Sequence, residues 1–173
     1  MIVIVAGPAG SGKSTLGLEL ARSQGLPLLD LDTITNPLLD SLAPLMFSGK
    51  HWNDANFRDL VRPARYAALL ATIVDQRLTD VGAVVVAPFT RELDGGAEWK
   101  ALVSAAGGEP TVIWLKASPE LLTVRRSRRG ADRDAHVVNS ASGTPAVPHL
   151  AVDAELATPQ QLAVARRFLV AGF

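Results

Sequence analysis

The chain has 173 residues, a formal net charge of zero and a hydrophobic content of 48%. A chain of this length is most economically one domain, residues 1–173, with a substantial core. Zero net charge gives no support to a general nucleic-acid or membrane-surface role. The absence of cysteine excludes disulfides and cysteine-ligated metals. No stretch approaches the roughly 20 apolar residues that a membrane span needs, so we expect a cytoplasmic protein.

The chain begins with a predicted strand, a glycine-rich loop and a predicted helix. The apolar run Ile2–Ala6 predicts a buried strand, and residues 16–23 have the character of a helix. Between them, residues 7–15 read Gly-Pro-Ala-Gly-Ser-Gly-Lys-Ser-Thr and match the pattern G-x-x-x-x-G-K-[ST]. A glycine-rich turn that ends in Lys-Ser by chance is the alternative. The flanking strand and helix favour a phosphate site instead.

Each part of this phosphate loop suits a nucleoside triphosphate. Glycines let backbone N–H groups wrap around phosphate oxygens, and the following helix directs its positive end at them. Lys13 can reach the β- and γ-phosphates, and the Ser14 hydroxyl can ligate Mg²⁺. We therefore expect ATP and Mg²⁺ as ligands. The expected nucleotide contacts in the loop are Gly7, Pro8, Ala9, Gly10, Ser11, Gly12, Lys13, Ser14 and Thr15.

Four further apolar runs alternate with helix-like segments along the rest of the chain. They cover residues 26–29, 81–87, 111–115 and 147–152. Continuous apolar runs separated by helices indicate a parallel sheet that is covered on both faces. The predicted fold is therefore α/β, a three-layer P-loop fold with a five-stranded parallel sheet and an arginine-rich lid. Ligands of such sheets collect at the carboxyl ends of the strands.

Prolines punctuate the predicted helices. Pro37, Pro44 and Pro63 are expected to break the long helical region after the second strand, with Pro63 at the first position of a helix. Ser118 and Thr158 each precede a proline and are predicted N-caps of two later helices.

Two carboxylates follow the second apolar run. Asp30 and Asp32 are separated by one residue and would point the same way if the strand continued. They could help to hold Mg²⁺ and accept a proton from an attacking hydroxyl. The alternative is that one of them is an N-cap of a helix that starts near Thr33.

The third apolar run is followed by Pro88 and has no acid at its end. Motor-type ATPases need an acidic residue at such a strand end to hold Mg²⁺ and polarise a hydrolytic water. The gap therefore favours transfer of phosphate to a bound acceptor. Arg91 could hold an anionic group of that acceptor. The alternative is a surface arginine that pairs with Glu92 or Asp94.

Arginines are concentrated in two segments. The first contains Arg125, Arg126, Arg128, Arg129 and Arg133. Such arginines can stabilise the charge on a transferring phosphoryl group, although a charged surface or a helix C-terminus is the plain alternative. In the second segment Arg58, Arg62 and Arg65 would share one helical face, an arrangement that Pro63 disturbs.

Taken in chain order, these features resemble the small P-loop kinases that phosphorylate metabolites, the shikimate kinase and gluconate kinase group. The resemblance rests on the phosphate loop, on residues 30–32 and 57–58, on the arginines from Arg125 onward and on the final strand. It implies that Asp30 lies near Mg²⁺ and that Asp32 and Arg58 contact the acceptor.

The resemblance also implies an acceptor-binding helical region over about residues 33–66 and a lid over about residues 125–146. Within the lid, Arg129 or Arg133 would lie over the phosphates or the adenine of ATP. The chain departs from both families. Shikimate kinases have three glycines where residues 88–90 read Pro-Phe-Thr, and their Arg-Pro lid dipeptide is missing. The Gly-Asp element before a histidine in gluconate kinases is absent as well.

The sequence thus predicts an ATP-dependent kinase of a hydroxyl on a small metabolite, namely a sugar, a polyol or a cyclic acid. Lys13, Asp32, Arg129 and Arg133 are the predicted catalytic residues. The remaining predicted contacts are Asp32, Arg58 and Arg91 to the acceptor, Arg125 to the nucleotide, and Ser14 and Asp30 to the metal.

Two alternatives stay open at this point. One is a nucleotide-binding regulatory or toxin-like P-loop protein without a small-molecule acceptor. The other is a kinase of a larger acceptor, such as a nucleotide sugar or an RNA 5′-hydroxyl, although zero net charge weakens the RNA version. We expect a monomer or a homodimer with no membrane or nucleic-acid partner.

Overall fold

The computed structural model describes residues 1–48, 50–128 and 143–171, and its centre is one sheet. Its strands are β1 Ile2–Ala6, β2 Leu28–Asp30, β3 Ala83–Val86, β4 Thr111–Lys116 and β5 Leu150–Asp153. All neighbours pair in parallel, in the order β2-β3-β1-β4-β5. The predicted five-stranded parallel sheet is confirmed, with β1 at its centre.

Helices connect these strands and cover the sheet. They are α1 Lys13–Gln24, α2 Leu31–Met46, α3 Arg58–Leu78, α4 Ala97–Ala106, α5 Pro119–Arg128 and α6 Thr158–Ala171, with a 3₁₀ turn at Glu92–Asp94. None of the helices in the described ranges is long and apolar enough to cross a membrane.

Two apolar cores lie on the opposite faces of the sheet. Because successive strand residues point to opposite sides, Ile2 and Ile4 of β1 join the core beneath α3 and α4, and Val3 and Val5 join the core beneath α1 and α6. Every residue of β1 is buried. Burial on both faces explains why the strands are continuous apolar runs, and it confirms the three-layer α/β class.

The prolines in α2 and α3 do not break these helices as the sequence suggested. Pro37 and Pro44 lie inside α2, and Pro63 lies inside α3, which begins at Arg58. Proline costs a helix one N–H and introduces a steric conflict, but buried residues on α3 anchor it on both sides of Pro63, among them Val61 and Tyr66. The predictions that Pro63 starts a helix and displaces residue 62 from helical geometry are therefore wrong.

The structure confirms the predicted N-cap of α5 and moves the predicted N-cap of α6 by one residue. The Ser118 hydroxyl accepts a hydrogen bond from the Leu121 N–H at 3.2 Å, as expected for an N-cap. In α6 the bond runs from the Ala157 N–H to Gln160 Oε1 at 3.0 Å. The N-cap position is therefore Ala157, one residue before Thr158.

We expect Gly17→Ala to destabilise the protein. A Cβ at Gly17 would collide with Cγ2 of Val86 on β3, and Val86 is a buried, β-branched residue with little freedom to move. Overpacking of this kind costs about 1–3 kcal/mol, against a gain in helix propensity of about 1 kcal/mol. Urea denaturation should show a lower free energy of unfolding.

The control is Gly143→Ala, because Gly143 is exposed and a Cβ there meets no atom within 4 Å. We expect this control to change the free energy of unfolding by less than about 0.5 kcal/mol. Equal urea midpoints for Gly17→Ala and the unmodified protein would contradict the close packing of α1 on β3.

Candidate active site

The phosphate loop joins the carboxyl end of β1 to the first turn of α1. Gly12 is the N-cap of α1 and has a φ of 97°, a left-handed conformation that favours glycine. Gly7 has a φ of 152°, and a Cβ there would lie 2.8 Å from Ser11 Oγ and 3.0 Å from the Leu115 carbonyl oxygen. The two glycines are thus required by backbone conformation and by close approach. Lys13 is the first residue of α1.

The Ser11 hydroxyl is an exception to normal hydrogen bonding within the described residues. It is fully buried, and no partner lies within hydrogen-bond distance in the described part of the chain. Its own N–H donates to the Pro8 carbonyl at 3.1 Å, which closes a tight turn. Unsatisfied buried hydroxyls are rare in native proteins, and their explanations include backbone strain, a catalytic role, and a bound water or ion.

Asp30 connects the phosphate loop to the end of β2. Its Oδ2 accepts a hydrogen bond from the Ser14 hydroxyl at 2.9 Å, and its Oδ1 accepts one from the Asp32 N–H at 2.9 Å. Asp30 is therefore the N-cap of α2 as well as a neighbour of the loop. The structure brings the two predicted metal ligands, Ser14 and Asp30, into direct contact.

The donor set of this pair fits Mg²⁺. Among the described residues no group of three or more His, Asp or Glu could hold a metal. Mg²⁺ does not need such a cage, because proteins usually bind it through one or two carboxylates together with substrate phosphates. A hydroxyl and a carboxylate beside a phosphate loop supply the protein part of that set.

Asp32 lies in the first turn of α2, not on a strand. Because β2 ends at Asp30, the expectation that strand alternation would align the two carboxylates is wrong. Asp32 Oδ1 accepts a hydrogen bond from Nη2 of Arg65 at 2.6 Å, and the Asp32 side chain stays 46% exposed. Its second carboxylate oxygen has no partner among the residues that the structure describes.

Arg65 is held on several sides. Besides Asp32, its guanidinium donates to Thr35 Oγ1 and to Asn36 Oδ1, both at 2.8 Å. It lies 4.7 Å from the centre of the Trp52 ring, and Trp52 Nε1 donates to Asp40. Sequence reasoning placed Arg65 on the correct helical face but did not select it as an acceptor contact.

One helical turn earlier, Arg62 forms an ion pair with Glu92. Its Nη2 lies 2.8 Å from both carboxylate oxygens of Glu92, whose side chain is only 5% exposed. The guanidinium also lies 4.3 Å from the centre of the Tyr66 ring. Sequence reasoning missed this pair, because its two members are 30 residues apart and nothing in their local pattern links them.

Tyr66 fixes the segment that follows β3. Its hydroxyl accepts a hydrogen bond from the Phe89 N–H at 3.0 Å. Burial raises the pKa of the Tyr66 phenol, and the negative charge of Glu92 raises it further, so the hydroxyl stays protonated at neutral pH. Phe89 is fully buried with a φ of 50°. A non-glycine residue in this conformation is strained, and such strain clusters at functional sites.

The other predicted acceptor contacts lie differently. Arg58 is the first residue of α3 and is half-buried, but it is Arg65 and not Arg58 that bonds Asp32. Arg91 is exposed. The alternative that it pairs with Glu92 is wrong, because Glu92 bonds Arg62. The predicted catalytic residues Arg129 and Arg133 lie outside the described residues, as does most of the predicted lid.

Arg125 ties the phosphate loop to the segment after β5. Its Nη1 donates to the Ser11 carbonyl at 2.9 Å, and its Nη2 donates to the Ala154 carbonyl at 2.8 Å. An open pocket of about 490 Å³ adjoins these contacts. It is lined by Ser11, Gly12, Thr15, Arg125, Glu155, Leu156, Ala157, Thr158 and Gln161. The pocket continues from the phosphate loop, where a nucleoside attached to bound phosphates would extend.

We expect Arg125→Met to lower the stability of the protein and to weaken nucleotide binding. The variant loses two charge-assisted hydrogen bonds, and one such bond contributes about 1.5–3 kcal/mol. Because two such bonds are lost, the free energy of unfolding should fall by at least about 1.5–3 kcal/mol, and the Kd for a non-hydrolysable ATP analogue should rise about tenfold or more. Calorimetric titration and urea denaturation measure both effects.

Arg22→Met is the control, since Arg22 forms only an exposed ion pair with Glu19, and such pairs contribute little to stability. If Arg125→Met and Arg22→Met bound nucleotide equally well, Arg125 would have no part in shaping the nucleotide pocket.

Comparison with known proteins identifies the family. A family model described as AAA domain matches residues 2–143. Shikimate kinase of Brucella canis is 33% identical over 129 residues, which cover 74% of this chain and 56% of the relative. Shikimate kinase of Bradyrhizobium diazoefficiens is 35% identical over 135 residues, which cover 76% and 55%. The chain spans about half the length of these curated relatives.

The fold has solved counterparts. The crystal structure of a putative kinase from Chloroflexus aurantiacus superimposes with a TM-score of 0.70 over 96% of both chains, at 21% identity. The family model covers the phosphate loop, both carboxylates after β2 and the arginines of α3. The resemblance to small P-loop metabolite kinases is confirmed, and the chain belongs to the AAA-domain family of P-loop proteins.

Proposed function

We propose that this protein transfers the γ-phosphate of ATP to a hydroxyl group of a small metabolite, such as a sugar, a polyol or a cyclic acid. The observation that carries the proposal is the junction of Ser14, Asp30 and Asp32. It links a phosphate loop to a half-exposed carboxylate through hydrogen bonds of 2.9 Å. The similarity to shikimate kinases supports the same class of reaction.

The nucleotide occupies the phosphate loop and the pocket beside Arg125. Backbone N–H groups of the loop, apart from Pro8, which has none, and Ser11, whose N–H donates to Pro8, bind the phosphates together with the Lys13 ammonium. Ser14 and Asp30 hold Mg²⁺, which when bound neutralises charge on the phosphate oxygens. Arg125 positions the walls of the pocket for the nucleoside, because it bonds the loop and the segment after β5 at once.

Asp32 serves the acceptor. Its free carboxylate oxygen accepts a hydrogen bond from the acceptor hydroxyl and orients it for attack. The acceptor oxygen forms a bond to the γ-phosphorus while the bond from that phosphorus to the bridging oxygen breaks. The hydroxyl proton passes to Asp32, and the electron pair of the broken bond stays on ADP. Arg65 holds Asp32 in place through its 2.6 Å hydrogen bond.

Transfer is favoured over hydrolysis by the residues after β3. A hydrolysing ATPase places an acid near this strand end to polarise water. The first acid after β3 is Glu92, and both of its carboxylate oxygens accept from Arg62. This carboxylate is buried and paired, so it is not available to a water molecule or to Mg²⁺.

Several parts of the proposal depend on predictions from the sequence. Arg129 and Arg133 stay our candidates for stabilising charge in the transition state, within a lid over about residues 125–146. Arg58 and Arg91 stay candidates for contact with distal parts of the acceptor. The cytoplasmic location, the single domain over residues 1–173 and the monomeric or homodimeric state are predictions of the same kind.

A thermal-shift screen tests the function directly. Sugars, polyols and cyclic acids are added to the protein with and without a non-hydrolysable ATP analogue. We expect at least one compound to raise the melting temperature further when nucleotide is present, and to give acceptor-dependent ADP release with ATP. If the ATP analogue binds but no acceptor raises the melting temperature further, a nucleotide-binding regulator would be favoured instead.

Lys13→Ala should abolish phosphate transfer. The variant removes the only charge that the loop itself contributes to the β- and γ-phosphates. An assay of acceptor-dependent ADP release should show a loss of at least about a thousandfold. Circular dichroism establishes that the variant is folded. Turnover within tenfold of the unmodified protein would refute the role of the loop as the phosphate donor site.

Asp32→Asn should reduce turnover and spare ATP binding. Loss of a general base typically costs about 10²–10⁴ in rate, whereas the loop that holds the nucleotide is unchanged. Asp59→Asn provides the control, since Asp59 is an exposed residue in the first turn of α3. Equal kcat values for the two variants would remove Asp32 from the mechanism.

A further inference from the structure

Arg65, which bonds Asp32, and Arg62, one helical turn earlier on α3, are both already paired with carboxylates of the protein itself. From this we infer that the acceptor is an uncharged polyhydroxylated molecule, a sugar or a polyol, and not a carboxylic acid. The inference rests on the proposed kinase function and narrows its acceptor. Its basis is the Arg62–Glu92 and Arg65–Asp32 pairs and the hydroxyl-binding groups around them.

Arg62 has little capacity left for an anionic acceptor. Its Nη2 is bonded at 2.8 Å to both oxygens of Glu92 and lies 3.4 Å from Thr90 Oγ1. Both bidentate edges of the guanidinium include Nη2, so an acceptor carboxylate would have to displace Glu92 to bind Arg62 through two hydrogen bonds. That displacement would leave Glu92, 5% exposed, as a buried charge without a partner, which is strongly unfavourable.

Arg65 is occupied in the same way. It donates to the side chains of Asp32, Thr35 and Asn36, and one of its faces lies over Trp52. The Arg65 side chain is 14% exposed. A bidentate clamp on a carboxylate needs two parallel N–H groups that are free. Nε and Nη2 of Arg65 already donate hydrogen bonds to Thr35, Asp32 and Asn36.

The balance of charge at this face points the same way. Asp32 and Glu92 contribute two carboxylates, and Arg65 and Arg62 contribute the two guanidinium groups that pair with them. Asp30 and Lys13 are assigned to the metal and to the phosphates. A carboxylate on the acceptor would therefore add a negative charge that neither ion pair offsets.

Hydroxyl groups, in contrast, find suitable partners here. Asp32 offers a half-exposed carboxylate oxygen, and Thr90 offers an exposed hydroxyl. Sites that bind hydroxyls through such groups discriminate well, because a substrate that lacks a hydroxyl leaves a polar group unpaired. These groups therefore suit a polyol, and they offer no positive charge to the carboxylate of its acid.

Matched pairs of acceptors test the inference on the unmodified protein. Each pair has the same hydroxyl groups and differs only in whether the carboxylate is charged or masked: gluconamide against gluconate, glucuronamide against glucuronate, and shikimate methyl ester against shikimate. Acceptor-dependent ADP release gives kcat/KM for each compound. We expect the neutral member of any pair that reacts to exceed its acid at least about tenfold.

The outcomes separate the inference from the function on which it rests. An acid that equals or exceeds its neutral partner would overturn the inference and leave the kinase function intact. It would also direct attention to Arg58 or Arg91 as the carboxylate contact. Failure of every pair in a protein that binds the ATP analogue would overturn the proposed small-molecule kinase, and the inference with it.

Glu92→Gln provides a second test, because it removes the charge that neutralises Arg62 and keeps the shape of the side chain. The ratio of neutral to acid kcat/KM should fall at least about tenfold, with the KM for ATP within twofold. Glu98→Gln, at an exposed glutamate of α4, is the matched control. An unchanged ratio in a folded Glu92→Gln variant would overturn the role of the Arg62–Glu92 pair. If that variant does not fold, the matched pairs on the unmodified protein decide.

Discussion

The parallel direction of all five strands is the constraint on which the candidate site depends. It brings the carboxyl ends of β1, β2 and β3 to one edge, so the phosphate loop after β1 and Asp30 after β2 lie within reach of each other. The Ser14 hydroxyl and the Asp30 carboxylate meet across the end of β3, at a hydrogen-bond distance of 2.9 Å. Gly17 makes this possible by letting α1 pack directly against Val86. A bulkier residue there would lift the first turn of α1 and separate the two groups.

The candidate site has a donor half, which would bind the nucleotide, and an acceptor half, which would bind the phosphate acceptor. The two halves are built from different chemical groups. The donor half consists of backbone in conformations that favour glycine, and its geometry follows from a short stretch of sequence. The acceptor half consists of charged side chains on α2, α3 and the segment after β3, which neutralise one another. A single substitution in this half leaves a buried charge without its partner.

Sequence reasoning predicted what local patterns determine. The phosphate loop, the strand runs and the Ser118 cap each depend on neighbouring residues, and the structure confirms the strands and the cap. It failed where distant packing decides. The local sequence around Pro63 predicts a helix start, but the helix extends back to Arg58, with buried residues such as Val61 before the proline. The extension keeps Arg62 in the helix, one turn before Arg65. The Arg62–Glu92 pair joins two elements whose proximity only the fold reveals.

The segment after β3 links two properties of the proposed enzyme. Phe89 is held in a left-handed conformation by burial and by the hydroxyl of Tyr66, and this turn sends Glu92 back toward Arg62. In this position Glu92, the first acid after β3, is kept away from any water or metal near the phosphates. It also neutralises Arg62, which could otherwise bind an acidic acceptor. Because Glu92 and Arg62 pair with each other, this one ion pair disfavours both activation of water by Glu92 and binding of an acceptor carboxylate by Arg62. Both effects agree with the proposed transfer of phosphate to a neutral hydroxyl.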